Sequence, residues 1–141
     1  MRELMMTLKV YRYISLTMMV VFGLVGVCFL FMSDGVVIFF NQMSAMVGME
    51  EVAPGKEHFY VILSFAYMYI VALLAFLMYR DAQNSIFPFI LFNAKIASSA
   101  VSILLFFADK HLLIYLINGI VDGAIGLLVI VMYQAAKRVS R

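Results

Sequence analysis

The sequence contains few charged residues. Of its 141 residues, 13% are charged and 66% are hydrophobic, whereas soluble domains average about 25% and about 45 to 50%. A soluble domain of this length has too much surface to bury so much apolar side chain, so lipid is the expected solvent. The formal net charge of +2 is too small to indicate nucleic-acid binding.

Motifs of catalysis and metal binding are also missing. The sequence has no glycine-rich phosphate loop, no HExxH, no CxxC and no nucleophile elbow. Its one cysteine, Cys28, cannot form an intramolecular disulfide. We therefore expect a protein that is not an enzyme and holds no cofactor or metal. The outer histidines and acids either are solvated interface residues or gather into a metal or pH-sensing cluster; a membrane-embedded enzyme, a weaker alternative, would need them to converge with a metal. These residues are His58, His111, Glu50, Glu51, Glu57 and Asp109.

Long apolar runs are what the sequence does contain. Four of them, at residues 14–32, 59–79, 87–107 and 112–133, are long enough for a helix to cross the hydrocarbon core of a bilayer. Short polar connections join the last three runs, which makes successive helices antiparallel neighbours. The sequence therefore predicts an all-α integral membrane protein, a four-transmembrane-helix antiparallel bundle that forms a single membrane domain over residues 1–141.

The long connection between the first two runs contains a shorter helical pattern. Apolar residues recur at helical spacing over residues 36–47, a segment too short to span the membrane. Ser33 and Asp34 precede it and are expected to cap the helix. The pattern predicts a short interfacial helix between transmembrane helices 1 and 2, which lies along the membrane surface or re-enters it shallowly.

The distribution of basic residues predicts the orientation. Seven of the ten Lys and Arg residues fall in the N-terminal segment, in the turn after the second run and in the C-terminal tail. The other two connections hold two, and one lies inside a run. By the positive-inside rule both termini are cytoplasmic. We expect a multi-pass protein of a bacterial or archaeal cytoplasmic membrane.

Two ionisable residues interrupt the apolar runs. Asp122 lies in the middle of the last run and Lys95 in the third, and a charge at the bilayer centre costs about 2.5 to 3.5 kcal/mol on insertion scales unless it is partnered or neutralised. Counted from the cytoplasmic ends of their helices, the two lie at depths of roughly 16 and 12 Å, a gap that a lysine stem can close. We therefore predict that they pair.

Other polar residues accompany the predicted pair. Ser98, Ser99 and Ser102 follow Lys95 on one helix face, and Asn118 precedes Asp122 by one turn. These six residues are the expected polar centre, which either binds a ligand or proton or locks two helices in register. Tyr60, Ser64 and Tyr67 are candidates to line a cavity beside it, although such a stripe also fits plain packing. Gly119, Gly123 and Gly126 form a face for close helix packing, inside the bundle or against a second subunit.

The sequence thus favours a small non-enzymatic membrane protein. Its expected role is that of an accessory subunit or of a binder of a lipophilic ligand such as a lipid or a quinone-like molecule. The expected partners are the lipid bilayer, a lipophilic small molecule, and a membrane-protein partner or further copies of the chain, with no nucleic acid. The alternative is a small transporter or proton-coupled channel that uses Asp122 as its titrating group.

Overall fold

The protein folds as a bundle of helices. The structure is a computed structural model that describes residues 2–51, 58–108 and 111–139. No strand forms within these ranges, although an isolated parallel bridge joins Glu50 to Leu112. Residues 52–57, 109 and 110, from two of the connections considered above, lie outside the described residues, as do both chain ends. The helices are α1 (Arg2–Phe31), α2 (Ser33–Val47), α3 (His58–Arg80), α4 (Ile86–Ala108) and α5 (Leu113–Val139).

Four of these helices are long and apolar enough to cross a membrane. Large apolar side chains on their outward faces are exposed, as lipid requires and water penalises. The predicted fold class, an all-α four-span bundle with a short additional helix after the first span, is confirmed. The four candidate spans are Thr7–Phe31, Tyr60–Arg80, Ile86–Ala108 and Leu113–Lys137.

The junction between α1 and α2 differs from the prediction in one respect. Ser33 and Asp34 do not cap α2, because Ser33 is already its first helical residue. Met32 separates the two helices with φ −133° and ψ 32° and provides no side-chain cap. Its N–H donates to the Cys28 carbonyl at 2.8 Å and its carbonyl accepts from Val36 N–H at 2.9 Å. The backbone thus continues the hydrogen-bond ladder across the bend, so no side-chain cap is needed.

The far end of α2 has a clear stop signal. Gly48 adopts a left-handed conformation with φ 68°, which glycine reaches without a Cβ clash. Gly48 N–H donates to Ala45 O at 3.4 Å and Met49 N–H donates to Ser44 O at 2.9 Å, the pattern of a Schellman motif. This motif ends α2 at Val47 and turns the chain away from the helix axis.

The spans pack as two close pairs. α1 packs most extensively against α3 and α4 against α5, while smaller α3–α4 and α1–α5 interfaces close the bundle. We call the end that holds the start of α1, the α3–α4 turn and the end of α5 the terminal end, and the opposite end the loop end. Buried apolar residues from all four spans, among them Tyr11, Met78, Leu91 and Tyr133, form a core in the half nearer the terminal end.

Candidate functional site

Lys95 and Asp122 form a salt bridge inside the bundle. Lys95 Nζ lies 2.7 Å from Asp122 Oδ1, joining α4 to α5. Lys95 is 1% exposed and Asp122 4% exposed. Ionised partners make short, strong hydrogen bonds, and the buried interior of the bundle gives them little other solvation. The two charges that are costly to insert separately therefore neutralise each other inside the protein.

The ammonium group of Lys95 also lies over two aromatic rings. Nζ is 4.7 Å from the ring centroid of Phe22 on α1 and 5.1 Å from that of Tyr67 on α3. Both distances are within the range of cation–π attraction, which is worth about 2 kcal/mol when the charge is desolvated. The Tyr67 hydroxyl donates to Ala94 O at 3.3 Å, which holds the ring against α4. Lys95 thus contacts one residue from each of the other three spans.

The carboxylate of Asp122 is only half satisfied. Oδ1 accepts from Lys95, whereas Oδ2 is buried and accepts no hydrogen bond from any described residue. An unmade hydrogen bond at a buried polar atom is costly, so such an atom in a native structure calls for an explanation. Oδ2 is therefore a buried acceptor in this centre for which the described residues provide no donor.

A second set of polar contacts lies one turn further towards the loop end. Asn118 Nδ2 donates to Ser102 Oγ at 2.8 Å and to Ser98 Oγ at 3.4 Å, and Ser99 Oγ donates to the Gly119 carbonyl at 2.6 Å. Asn118 bonds to Ser98 and Ser102 rather than to Asp122. All of these contacts cross the α4–α5 interface, so every polar residue of the predicted centre contributes to joining the same two helices.

Replacement of Asn118 by leucine is expected to lower the free energy of unfolding by about 1 kcal/mol, as typical for a hydrogen bond between membrane helices. The effect is modest because the serine hydroxyls can turn to carbonyls of their own helix. The matched control is Asn93→Leu, since the exposed Asn93 donates to Phe89 O of its own helix at 2.8 Å. Thermal unfolding in detergent compares the two, and equal losses would contradict a specific role for Asn118.

The glycines of α5 face α4. A Cβ added at Gly119 would lie 2.7 Å from Ile103 Cδ1, one at Gly123 would lie 2.9 Å from Ser99 Oγ, and one at Gly126 would lie 3.2 Å from Ile96 Cδ1. These glycines therefore let the two helices approach closely inside the chain, and this contact brings the α4 serines within reach of α5.

The remaining candidate residues lie elsewhere. Tyr60 is 62% exposed, and Ser64 is partly buried on α3. His111 packs edge-on against Phe106, with ring centroids 5.1 Å apart. Within residues 2–51, 58–108 and 111–139, no three His, Cys, Asp or Glu residues form a group suited to a metal ion. Glu57 and Asp109 of the proposed outer cluster lie outside the described residues.

Sequence reasoning did not identify Phe22 as part of the centre. It is one of thirteen phenylalanines and lies in an uninterrupted apolar run, where nothing distinguishes a ring beneath a charge from a ring in the core. Tyr67 was among the candidates because it falls on a helix face with two other polar side chains. The rotation of α1 about its axis, which directs Phe22 to Lys95, is set by packing and leaves no mark in the sequence.

Comparison with protein-family models, with curated proteins and with solved structures finds no match for the chain. The structure itself shows the general class. It is a small membrane protein, with four apolar helices and a buried lysine–aspartate salt bridge. A more specific function is inferred below from the geometry of this chain.

Proposed function

We propose that the protein is a non-enzymatic accessory subunit of a membrane assembly. In this role Lys95 and Asp122 are a structural clamp that holds four spans in one fixed arrangement. The observation that carries the proposal is the enclosure of Lys95, which is 1% exposed and contacts α1, α3 and α5 at once. A charge closed in by the protein's own groups on every span has the surroundings of a structural element.

The chemistry of the centre supports the same conclusion. Lys95 is held by a carboxylate, and the neighbouring groups are an amide, serine hydroxyls and aromatic rings, bonded to one another or to backbone carbonyls. No serine in this set is hydrogen-bonded to a general base, which is one common arrangement for activating a nucleophile. A protein of this kind would act through its outer surfaces, on which apolar side chains meet lipid or a partner.

A second candidate is a binder of a lipophilic ligand, and Asp122 Oδ2 favours it. This buried oxygen has no described donor, so a hydroxyl or amide of a lipid or quinone-like molecule would complete its hydrogen bonding. Binding would require the packing around Tyr67 or Phe22 to open. The two candidates share one fold and differ in what accompanies the purified chain.

Native mass spectrometry of the full chain, purified in mild detergent, separates these candidates. An accessory subunit is expected to carry a second polypeptide in a fixed ratio. A ligand binder is expected to carry a small molecule that is lost in the double variant Lys95→Met, Asp122→Asn while the helical content is kept. A chain with neither a partner nor a bound molecule would contradict both.

We further propose that the protein lies in a cytoplasmic membrane with its terminal end facing the cytoplasm. The excess of Lys and Arg at that end supports this orientation. A reporter that is active only outside the cytoplasm, fused after residue 141, should stay inactive. An active reporter would show the opposite orientation.

A further inference from the structure

We infer that the terminal end of the bundle contains a binding site for a phosphate ester. The depth of this site in the membrane favours the headgroup of an anionic glycerophospholipid as the source of the phosphate ester. The site is a cavity of about 300 Å³ between the start of α1, the α3–α4 turn and the last turns of α5. It lies apart from the salt bridge, because fifteen residues, or about 22 Å of helix, separate Lys137 from Asp122. Its lining residues are Leu8, Ala82, Gln83, Ser85, Tyr133, Ala136 and Lys137.

The depth of the cavity matches that of lipid headgroups. The candidate spans begin or end at Thr7, Arg80, Ile86 and Lys137, and every lining residue lies within a few positions of one of these boundaries. The ends of spans lie where the hydrocarbon core meets the headgroup layer. The cavity is therefore placed beside the phosphates of the surrounding lipid.

The cavity lining combines hydrogen-bond donors with an apolar surface, and a lipid headgroup with its glycerol requires both. Lys137, Gln83 and Ser85 supply an ammonium, an amide and a hydroxyl, all of which can donate to phosphate oxygens. Lys137 Nζ is 5.8 Å from the Tyr133 ring centroid, which places the charge over one wall of the cavity. Leu8, Ala82 and Ala136 provide an apolar surface suited to the glycerol and the first methylenes of an acyl chain.

The charge and size of the cavity agree with this ligand class. The segments of the terminal end that the structure describes contain six Lys and Arg residues and two acids, Glu3 and Asp81. Such an excess attracts anionic lipid. A volume of about 300 Å³ lies at the small end of ligand pockets, which suits a headgroup whose acyl chains continue outside along the spans. A neutral or zwitterionic headgroup gains less from Lys137, so the site should prefer a net negative one.

The test uses the full chain in detergent micelles, with short-chain phosphatidylglycerol, phosphatidylcholine and soluble glycerol 3-phosphate as separate probes. Native mass spectrometry measures how much of each the protein retains. We expect one phosphatidylglycerol per chain, with weaker retention of phosphatidylcholine. Lys137→Gln should lower phosphatidylglycerol retention about fivefold, as the loss of one well-placed charge near a lipid surface predicts.

Two variants keep the result interpretable. Lys9→Gln removes the same charge from an exposed position at the same end, outside the cavity lining, and should change retention far less than Lys137→Gln. Ser85→Trp fills the cavity from an exposed position and should abolish retention while the helical content of the chain is kept. Retention that depends on Asp122 rather than on Lys137 would belong to the lipophilic-ligand candidate above and would count against this site.

The retention measurements lead to three different conclusions about the cavity. Retention of phosphatidylglycerol that falls in Lys137→Gln and Ser85→Trp, but not in Lys9→Gln, supports the site with a lipid as its occupant. Retention of glycerol 3-phosphate with the same dependence supports the phosphate site and makes the occupant a soluble ester. Equal retention of the two lipids, or retention unchanged by both cavity variants, overturns the inference.

Discussion

Replacement of Lys95 by methionine is expected to lower the free energy of unfolding by about 3 to 5 kcal/mol if Asp122 stays ionised, and by less if its carboxyl takes up a proton. Among the described residues, Lys95 provides the one hydrogen bond that this carboxylate accepts, at 2.7 Å, and Oδ2 already has no partner. Methionine retains an unbranched apolar chain, so the loss comes mainly from the stranded charge. Equilibrium unfolding in detergent measures it.

The reciprocal change, Asp122→Asn, is expected to lower the free energy of unfolding by less than Lys95→Met does. The asparagine carbonyl still accepts a hydrogen bond, and the ammonium group keeps its contacts with the rings of Phe22 and Tyr67. The double variant, with both charges removed, should be more stable than Lys95→Met alone. Equal or greater damage in the double variant would show that the two residues do not stabilise each other. Lys9→Met, at an exposed position, controls for removal of a positive charge.

Gly119→Leu is expected to lower the free energy of unfolding by about 1 to 3 kcal/mol through overpacking. An added Cβ would already lie 2.7 Å from Ile103 Cδ1 and 3.4 Å from the Ser99 carbonyl oxygen. The isoleucine can turn aside, but the Ser99 backbone cannot, so the rest of the leucine would push α5 away from α4. The 2.6 Å hydrogen bond from Ser99 Oγ to the Gly119 carbonyl would break with it.

Gly23→Leu is the matched control for that substitution. Gly23 also lies within a spanning helix, but a Cβ built on it meets nothing within 4 Å. Leucine there should be neutral or mildly stabilising, since it is a better helix former than glycine. Thermal unfolding of the two variants in the same detergent isolates the effect of helix approach. If Gly119→Leu were as stable as Gly23→Leu, close α4–α5 packing would not be needed for stability.

The spans could be predicted from the sequence because lipid imposes a simple requirement, an unbroken apolar run of sufficient length. The boundaries were harder. α1 begins at Arg2, well before the apolar run that starts at residue 14, because basic side chains at a membrane surface interrupt hydropathy without interrupting the helix. α2 begins at Ser33 because the backbone ladder of α1 carries across Met32, a continuity that side-chain capping patterns do not reveal.

The centre was predictable where a residue was out of place in its surroundings. Lys95 and Asp122 are ionisable groups in apolar runs, and their similar depth on neighbouring helices led directly to the pair. Phe22 is an ordinary residue in an ordinary place, and its role depends on the rotation of α1. The partners of Asn118 likewise depend on the rotation of α5 against α4, and that rotation gives it Ser102 rather than Asp122.

The salt bridge also bears on how the chain enters its membrane. Alone, α4 and α5 would each carry into the bilayer a charge that costs about 2.5 to 3.5 kcal/mol to insert. Only four residues, 109–112, separate the two helices, so they can form a hairpin before either has fully entered. Within the hairpin the charges cancel, and insertion as a pair is energetically favoured over insertion one after the other. Asp122 of α5 thus serves as the counterion of Lys95 and makes α4 compatible with lipid.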